Sequence, residues 1–280
     1  MPPRNQPTDR QERLGTELRK LREHAGMTAR QAATLLGTNP IQMSAMEAGR
    51  SGVSEARVRS LAGHYACDDT DLVDALVAMA TERGKGWWEE YRGVLGHTSL
   101  DIAELEHHAT HIREFEVIHI PGLLQTEDHA RAAFSFAAAY LPPKQMDAQI
   151  AFRLQRQDVI SGTEFTAVIH EAALRIKVGG RKAALVQLER ILEASDRDNV
   201  TVQVVPFSVD NFAAAGYSMI LASGPVPQLD TVLLDTPDGS IFLDAEAQLR
   251  KYRSLFERVQ ASALPAAESR SLITGIAQDI

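Results

Sequence analysis

Residues 27–50 read MTARQAATLLGTNPIQMSAMEAGR, and their punctuation decides how the N-terminal part of the chain folds. Thr28 is placed to act as an N-cap, and Gln31, three residues on, can close a capping box. Ala32, Ala33, Leu35 and Leu36 then face inward, and Gly37 stops the helix after about two turns. Asn39 caps a following helix whose first position is Pro40, where the missing N–H had no helical partner to lose. Two strong start signals separated by one glycine stop predict a pair of short helices joined by a tight turn.

Working outward, Leu14, Leu18, Leu21 and Ala25 form an apolar stripe on a preceding helix that Gly26 ends. Asp68 and Asp69 open a later one, carried by Leu72, Val73, Leu76, Val77 and Met79. An all-α, five-helix domain over residues 14–83 is therefore expected, after a flexible tail over 1–13. Within the second helix of the pair, Met43 and Met46 are three apart and anchor it, which leaves Pro40, Ile41, Gln42 and Ala45 outward. In a helix-turn-helix these positions meet base edges. Gln42 has the donor and acceptor suited to adenine, Ile41 and Ala45 suit a thymine methyl, and Arg50 is placed as a phosphate clamp. Thr28, Arg30, Gln31 and Asn39 complete the candidate DNA contacts.

Leu18, Leu21, Ala32, Ala33, Met43, Met46, Glu47 and Gly49 fall where the Cro/repressor-like (Xre) helix-turn-helix family places its core and turn residues. Glu47-Ala48-Gly49-Arg50 resembles that family's E-x-G-[RK] ending. The chain departs at Ala45, where many relatives carry arginine or another long polar residue. The alternative for this region is a helical bundle used for protein contact.

At 280 residues the chain exceeds one DNA-binding module and suggests two domains. No apolar run approaches the roughly 20 residues of a membrane span, and the polar, proline-containing start MPPRNQPTDRQER is unlike a signal peptide, so a cytoplasmic protein without a membrane association is expected. The lone Cys67 excludes an intrachain disulfide and any multi-cysteine metal site. Residues 1–66 carry ten Lys+Arg against six Asp+Glu, +4, and the rest carry 19 against 31, −12. Repulsion from the acidic part is screened beyond about 10 Å at physiological salt, so a locally basic face still serves DNA. The acidic remainder suits a protein or small-molecule partner.

TERGKG (81–86) supplies two glycines and mixed charge, a plausible hinge, and from Trp87 the composition changes. Strand-like stretches are 114–120, 164–170, 199–207, 217–222 and 230–236, rich in β-branched or aromatic residues. Segments with the 3.6-residue period lie at 126–141, 144–160 and 181–195, and two more close the chain. The expectation is α+β overall, with a mixed α+β domain over 84–280 that dimerises and binds a partner or effector.

Trp87 to Tyr91, Glu106 with Ala109, Pro121-Gly122-Leu123-Leu124-Gln125-Thr126, Arg153 to Gln157, Glu171 to Arg175 and Val202 to Pro206 resemble landmarks of the WhiJ-type, antitoxin-like actinobacterial regulators. The resemblance implies an Xre-type reader joined to a C-terminal domain of unknown function, with a small partner protein encoded nearby. It supplies no ligand. Trp87, Tyr91, Gln125, Arg153, Arg156, Gln157 and Glu171 are the candidate partner- or ligand-binding residues; for Arg153, Arg156, Gln157 and Glu171 the competing reading is a salt-bridge network holding a helix on the sheet.

His107 and His111 at i, i+4 could face one metal ion, but no H-E-x-x-H glutamate and no third ligand accompany them, and a solvated helix face is the preferred reading. Lone turn glycines lack phosphate-cradling context, and no G-x-S-x-G is present, so neither catalysis nor a cofactor or metal is expected. The sequence thus points to a homodimeric, sequence-specific regulator of promoter DNA that senses a small protein or a metabolite. The second reading is a scaffold or antitoxin that neutralises a small partner with little DNA dependence.

Overall fold

A computed structural model describes residues 7–82, 86–137, 141–210, 212, 218–236 and 239–280. The chain divides into Met1–Glu89 and Glu90–Ile280. The first unit contains α1 (Asp9–His24), α2 (Ala29–Leu35), α3 (Pro40–Glu47), α4 (Glu55–His64) and α5 (Thr70–Thr81). Both expected caps form: Thr28 and Gln31 make a full capping box, and the Asn39 side chain accepts from the Gln42 N–H at 2.8 Å. Leu18, Ala32, Met43, Met46, Leu61 and Leu76 make the centre of the core, none more than 2% exposed.

Two expectations here need correction. The first helix starts at Asp9, inside the segment expected to be a tail, because Thr8 and Gln11 form a second capping box. The first turn, Asp9 to Arg13, is wholly polar, so it left no apolar period to read. Leu35, expected inward, is 48% exposed, because a seven-residue helix fills its buried stripe with Ala32 and Ala33.

α1 lies directly on the end of α3. A β-carbon on Gly15 would stand 2.5 Å from the Glu47 carbonyl oxygen, and one on Gly49 would stand 2.7 Å from that of Gln11. Gly49 also has φ +68°, where a side chain is strained. Two missing side chains therefore let the helices approach at backbone distance.

The second unit contains α6 (His97–His108), β1 (His111–Glu116), α7 (Glu127–Ala137), α8 (Pro143–Arg156), β2 (Glu164–His170), α9 (Glu171–Arg175) and α10 (Arg181–Ala194). β3 (Val200–Val205), β4 (Met219–Ser223), β5 (Thr231–Thr236), β6 (Gly239–Leu243), α11 (Glu246–Ala261) and α12 (Ala266–Asp279) follow. One sheet has the order β3-β2-β1-β4-β5-β6. β1, β2 and β3 are parallel, and their helical crossovers supply the return path that parallel pairing demands. β4, β5 and β6 are antiparallel to their neighbours. The whole chain is α+β, as its pattern predicts.

Alternation along the strands divides the core. Ile112, Phe165, Ala167, Ile169 and Val202 pack with Leu188 and Ile191 of α10 and with Ile273 and Ile276 of α12. Phe115, Val168, Val205 and Met219 face the other way, onto Phe256 and Val259 of α11. The first strand is displaced from the expected 114–120, since the ladder pairs His111 with Glu164 and stops at Glu116. Polar His111 and Arg113 hid its start, and Ile118 and Ile120, although β-branched, lie in the exit toward the 3-10 turn Gly122–Leu124. The helix expected over 144–160 ends at Arg156 and continues as a 3-10 turn, Gln157–Ser161. The sixth strand was not expected, although Asp238-Gly239 is a hairpin signal. Tyr217 of the expected 217–222 strand and residues 83–85 of the expected hinge lie outside the described residues. Among the described residues no helix is long and apolar enough to cross a membrane.

In Gly15→Ala, helix propensity favours alanine by about 1 kcal/mol, whereas overpacking against unyielding backbone costs about 1–3 kcal/mol. Overpacking should win, and chemical denaturation followed by circular dichroism should show a lower midpoint for the variant.

Candidate nucleic-acid interface and a C-terminal cavity

α3 is eight residues long and presents its N-terminal half outward. Ile41 is 83% exposed, Pro40 and Gln42 are exposed, and Ala45 is half-buried. The Gln42 side-chain oxygen accepts from the Thr38 hydroxyl, which orients the amide across the start of the helix. Thr28 and Gln31 are partly committed: the Gln31 oxygen accepts from the Thr28 N–H at 2.9 Å and from its hydroxyl at 2.8 Å, which leaves the amide NH2 as donor.

Behind α3, Arg22 Nε and Nη2 donate to the two Glu47 oxygens at 2.6 and 2.9 Å, while Nη1 donates to the Met27 carbonyl at 2.7 Å. Both side chains are under 10% exposed. One guanidinium thus ties the end of α3 to α1 and to the turn before α2. The same pair acts on Tyr65, whose hydroxyl burial and the nearby Glu47 charge push up to about 12.

The remaining cations divide into paired and unpaired, and Arg13 and Lys20 share Glu17, each at 2.8 Å. Arg10, Arg19 and Arg59 hold Glu82, Glu23, and Glu55 with Asp74. Arg30, Arg50 and Arg57 have no hydrogen-bonded or ionic side-chain partner among the described residues. Arg30 is in the first turn of α2, Arg50 follows α3, and Arg57 is in the first turn of α4. Arg57 was not among the residues expected from sequence, where the capping Ser54 just ahead of it was the available signal.

The candidate partner- or ligand-binding residues separate. Gln125, Arg153 and Arg156 line a cavity of about 470 Å³ on the β1-β4-β5 part of the sheet, under α6, α7 and α8. Trp87, Tyr91, Gln157 and Glu171 do not line it. Trp87 stands edge-on to Trp88 at 6.0 Å. Tyr91 donates to Gln155 at 3.0 Å and packs edge-on to Phe152 at 5.0 Å. Gln157 donates to the Gly122 and Gln125 carbonyls at 3.2 and 2.6 Å. Glu171 accepts from Arg175 at 2.7 Å and from the Phe207 N–H at 2.8 Å. These are scaffold contacts, as is the buried two-pronged pair of Arg156 with Glu106.

What the sequence reading missed is the acidic wall. Glu114 and Glu116, two apart on β1, share the sheet face of Ile112 and are 3% and 8% exposed. Burial and then the neighbouring Glu116 charge hold the Glu114 carboxyl well above the usual range. Burial raises Glu116 to about 7 against the opposing hydrogen bond from Ser218. Asp235 stands at the exposed end, accepting from Ser240 at 2.6 Å. The available signal was E-F-E inside a strand: period two puts both carboxylates on a face that would otherwise be core.

The histidine arrangement dissolves. α6 ends at His108 and His111 opens β1, where its Nε2 lies 2.9 Å from the Thr166 hydroxyl, so His107 and His111 share no helix face. Among the described residues no group of three or more His, Cys, Asp or Glu is arranged to hold a metal ion.

A helix-turn-helix domain model, HTH_31, matches residues 13–76. A model described as a domain of unknown function, DUF5753, matches residues 100–275, more than half of the chain. The chain belongs to the DUF5753 family. No curated protein matches it, and no solved structure does. For this DUF5753 chain the helix-turn-helix match indicates DNA-binding regulation by the N-terminal unit, and neither model describes a catalytic family.

The buried carboxyl has a consequence for stability. Glu116 titrates near 7 when folded and near its ordinary 4.5 when unfolded, so between those values the folded chain holds more protons. Its contribution is complete below about 4.5 and lost as pH rises through 7. Comparing urea midpoints, Glu116→Gln should gain on the wild type from pH 5 to pH 8; parallel curves would refute the shift.

Proposed function

We propose that the chain is a sequence-specific transcriptional regulator of the Xre, WhiJ-like kind, acting in the cytoplasm of an actinobacterium as a homodimer on promoter DNA. The observation that carries this reading is α3: capped by Asn39, fixed from behind by Met43, Met46 and the Arg22–Glu47 pair, and outward at Pro40, Ile41, Gln42 and Ala45. Gln42 reads adenine, Ile41 and Ala45 contact thymine methyls, and Arg30, Arg50 and Arg57 bind phosphates with the Thr28, Gln31 and Asn39 region. Without a long polar residue at Ala45, base discrimination rests mainly on Gln42. Two copies reading half-sites about 34–36 Å apart supply the affinity that one short helix lacks.

The C-terminal domain is the sensing and dimerising part. Of the two effectors considered, a small partner protein and a metabolite, the cavity beside Glu114 supports the second. An antitoxin or scaffold working without DNA remains the reading against which the test is set.

Selection of random duplex DNA by the full chain at stated salt should recover a short palindrome, and Gln42→Ala/Arg50→Ala should not recover it. On that site Arg50→Ala alone should lower the slope of log K against log salt by about 1 for all sequences, while Gln42→Ala should cost about 1–3 kcal/mol and relax preference at one base pair. Equal recovery by wild type and double variant would favour the scaffold reading.

A further inference from the structure

We propose that the cavity under α6, α7 and α8 is a binding site for a small organic cation, an ammonium or guanidinium group carried on an apolar body.

The central observation is Glu114. It sits in the middle strand region of the sheet, paired with Ala167 on one side and Ile220 on the other. Its residue is 3% exposed and lines the cavity, yet among the described residues no donor hydrogen-bonds its carboxylate and no cation lies within ion-pair distance. Burial without a partner disfavours the ionised form and holds Glu114 toward neutrality, a cost that an apolar side chain like its strand neighbour Ile112 would avoid. A fold that keeps the acid there retains a polar anchor aimed into the cavity.

The charge balance says which sign is wanted. Glu106 and Arg156 cancel each other as a buried pair. What remains is Glu114, Glu116 and Asp235 against Arg153, with His119 exposed at the rim. Arg153 belongs to the same lining and its charge acts on both carboxyls, but its hydrogen bond goes to the Gln125 oxygen at 3.4 Å and its guanidinium lies over the Phe134 ring at 5.1 Å. Burial and mutual repulsion hold Glu114 and Glu116 toward their neutral forms, and an entering cation, unlike an anion, is the partner that lets them ionise. A metal ion does not meet the need, since no group of three or more suitable ligands converges among the described residues.

Shape and lining give the rest of the ligand. A volume of about 470 Å³ falls within the range of roughly 300–1,000 Å³ typical of small-molecule sites. Ile102, Ile120, Phe152, Ile220 and Leu233 supply apolar walls. A compound with one cationic end beside Glu114 and Glu116 and a hydrophobic remainder against these walls matches the two buried carboxyls and the apolar part of the lining.

Every lining residue belongs to the second unit, and only the site's regulatory meaning rests on the C-terminal domain being the sensing part. The test uses the full chain without DNA. Phenethylamine and agmatine are titrated by calorimetry and ligand-observed NMR, with phenethyl alcohol, phenylacetate and Mg²⁺ as uncharged, anionic and metal controls. At least one of the amine and guanidine probes should bind saturably, about tenfold or more tighter than all three controls. Glu114→Gln, which keeps the shape and removes the charge, should weaken that binding about tenfold or more. Ser99→Phe, which fills the cavity from a half-buried position on α6, should abolish it in a chain whose circular dichroism is unchanged. No saturation by either cationic probe to about 10 mM, preference for phenylacetate or Mg²⁺, or equal binding by Glu114→Gln would overturn the site. A cation that binds in this way but leaves affinity for the selected DNA unaltered upholds the site and removes the sensing role from the function proposed above.

Discussion

The reading helix is only two turns long, and a helix of eight residues has little stability of its own. Its existence in one orientation depends on the buried Arg22–Glu47 pair and the backbone approach beside it. Arg22 gives three hydrogen bonds to two carboxylate oxygens and one carbonyl, so the desolvation of both charges is met by geometry rather than by Coulomb attraction alone. Gly15 and Gly49 permit that geometry, because a β-carbon at either would hold α1 off the end of α3. Rigidity behind the helix is what makes its outward residues a fixed pattern rather than a mobile set.

The C-terminal unit uses the opposite device. Its parallel half is packed in the ordinary way, with Ile112, Ala167 and Val202 against α10 and α12. Where the sheet turns antiparallel, the same face carries Glu114 and Glu116, and the layer above leaves a cavity. Apolar packing gives way there to two carboxyl groups that burial holds toward their neutral forms. Such local conflict between burial and polarity is characteristic of places kept for binding.

These two arrangements differ in the stakes of a single proton. The Arg22–Glu47 contact is strongest when both partners are ionised, and it holds structure. Glu116 is raised to about 7 chiefly by burial, so its charge changes near neutral pH. The rigid helix-turn-helix and the cavity with a titrating wall belong to separate units.

By itself the sequence determined the helix-turn-helix, because its signals are local. Thr28, Asn39 and Pro40 act within one turn, and Met43 with Met46 follow from helix period alone. The second strand over 164–170 and the α+β class were legible for the same reason. Only tertiary structure decided the rest. Arg22 and Glu47 are 25 positions apart, and nothing in either neighbourhood names the other. Gln125, Arg153 and Arg156 face a cavity, whereas Gln157 and Glu171 brace loops, though all five looked alike as polar landmarks. β1 was misplaced because its start is polar, and its carboxylates went unnoticed because their meaning depends on which face the ladder register buries. Local signals set helices and caps; the partner of a charge and the sign of a face are fixed only when distant segments meet.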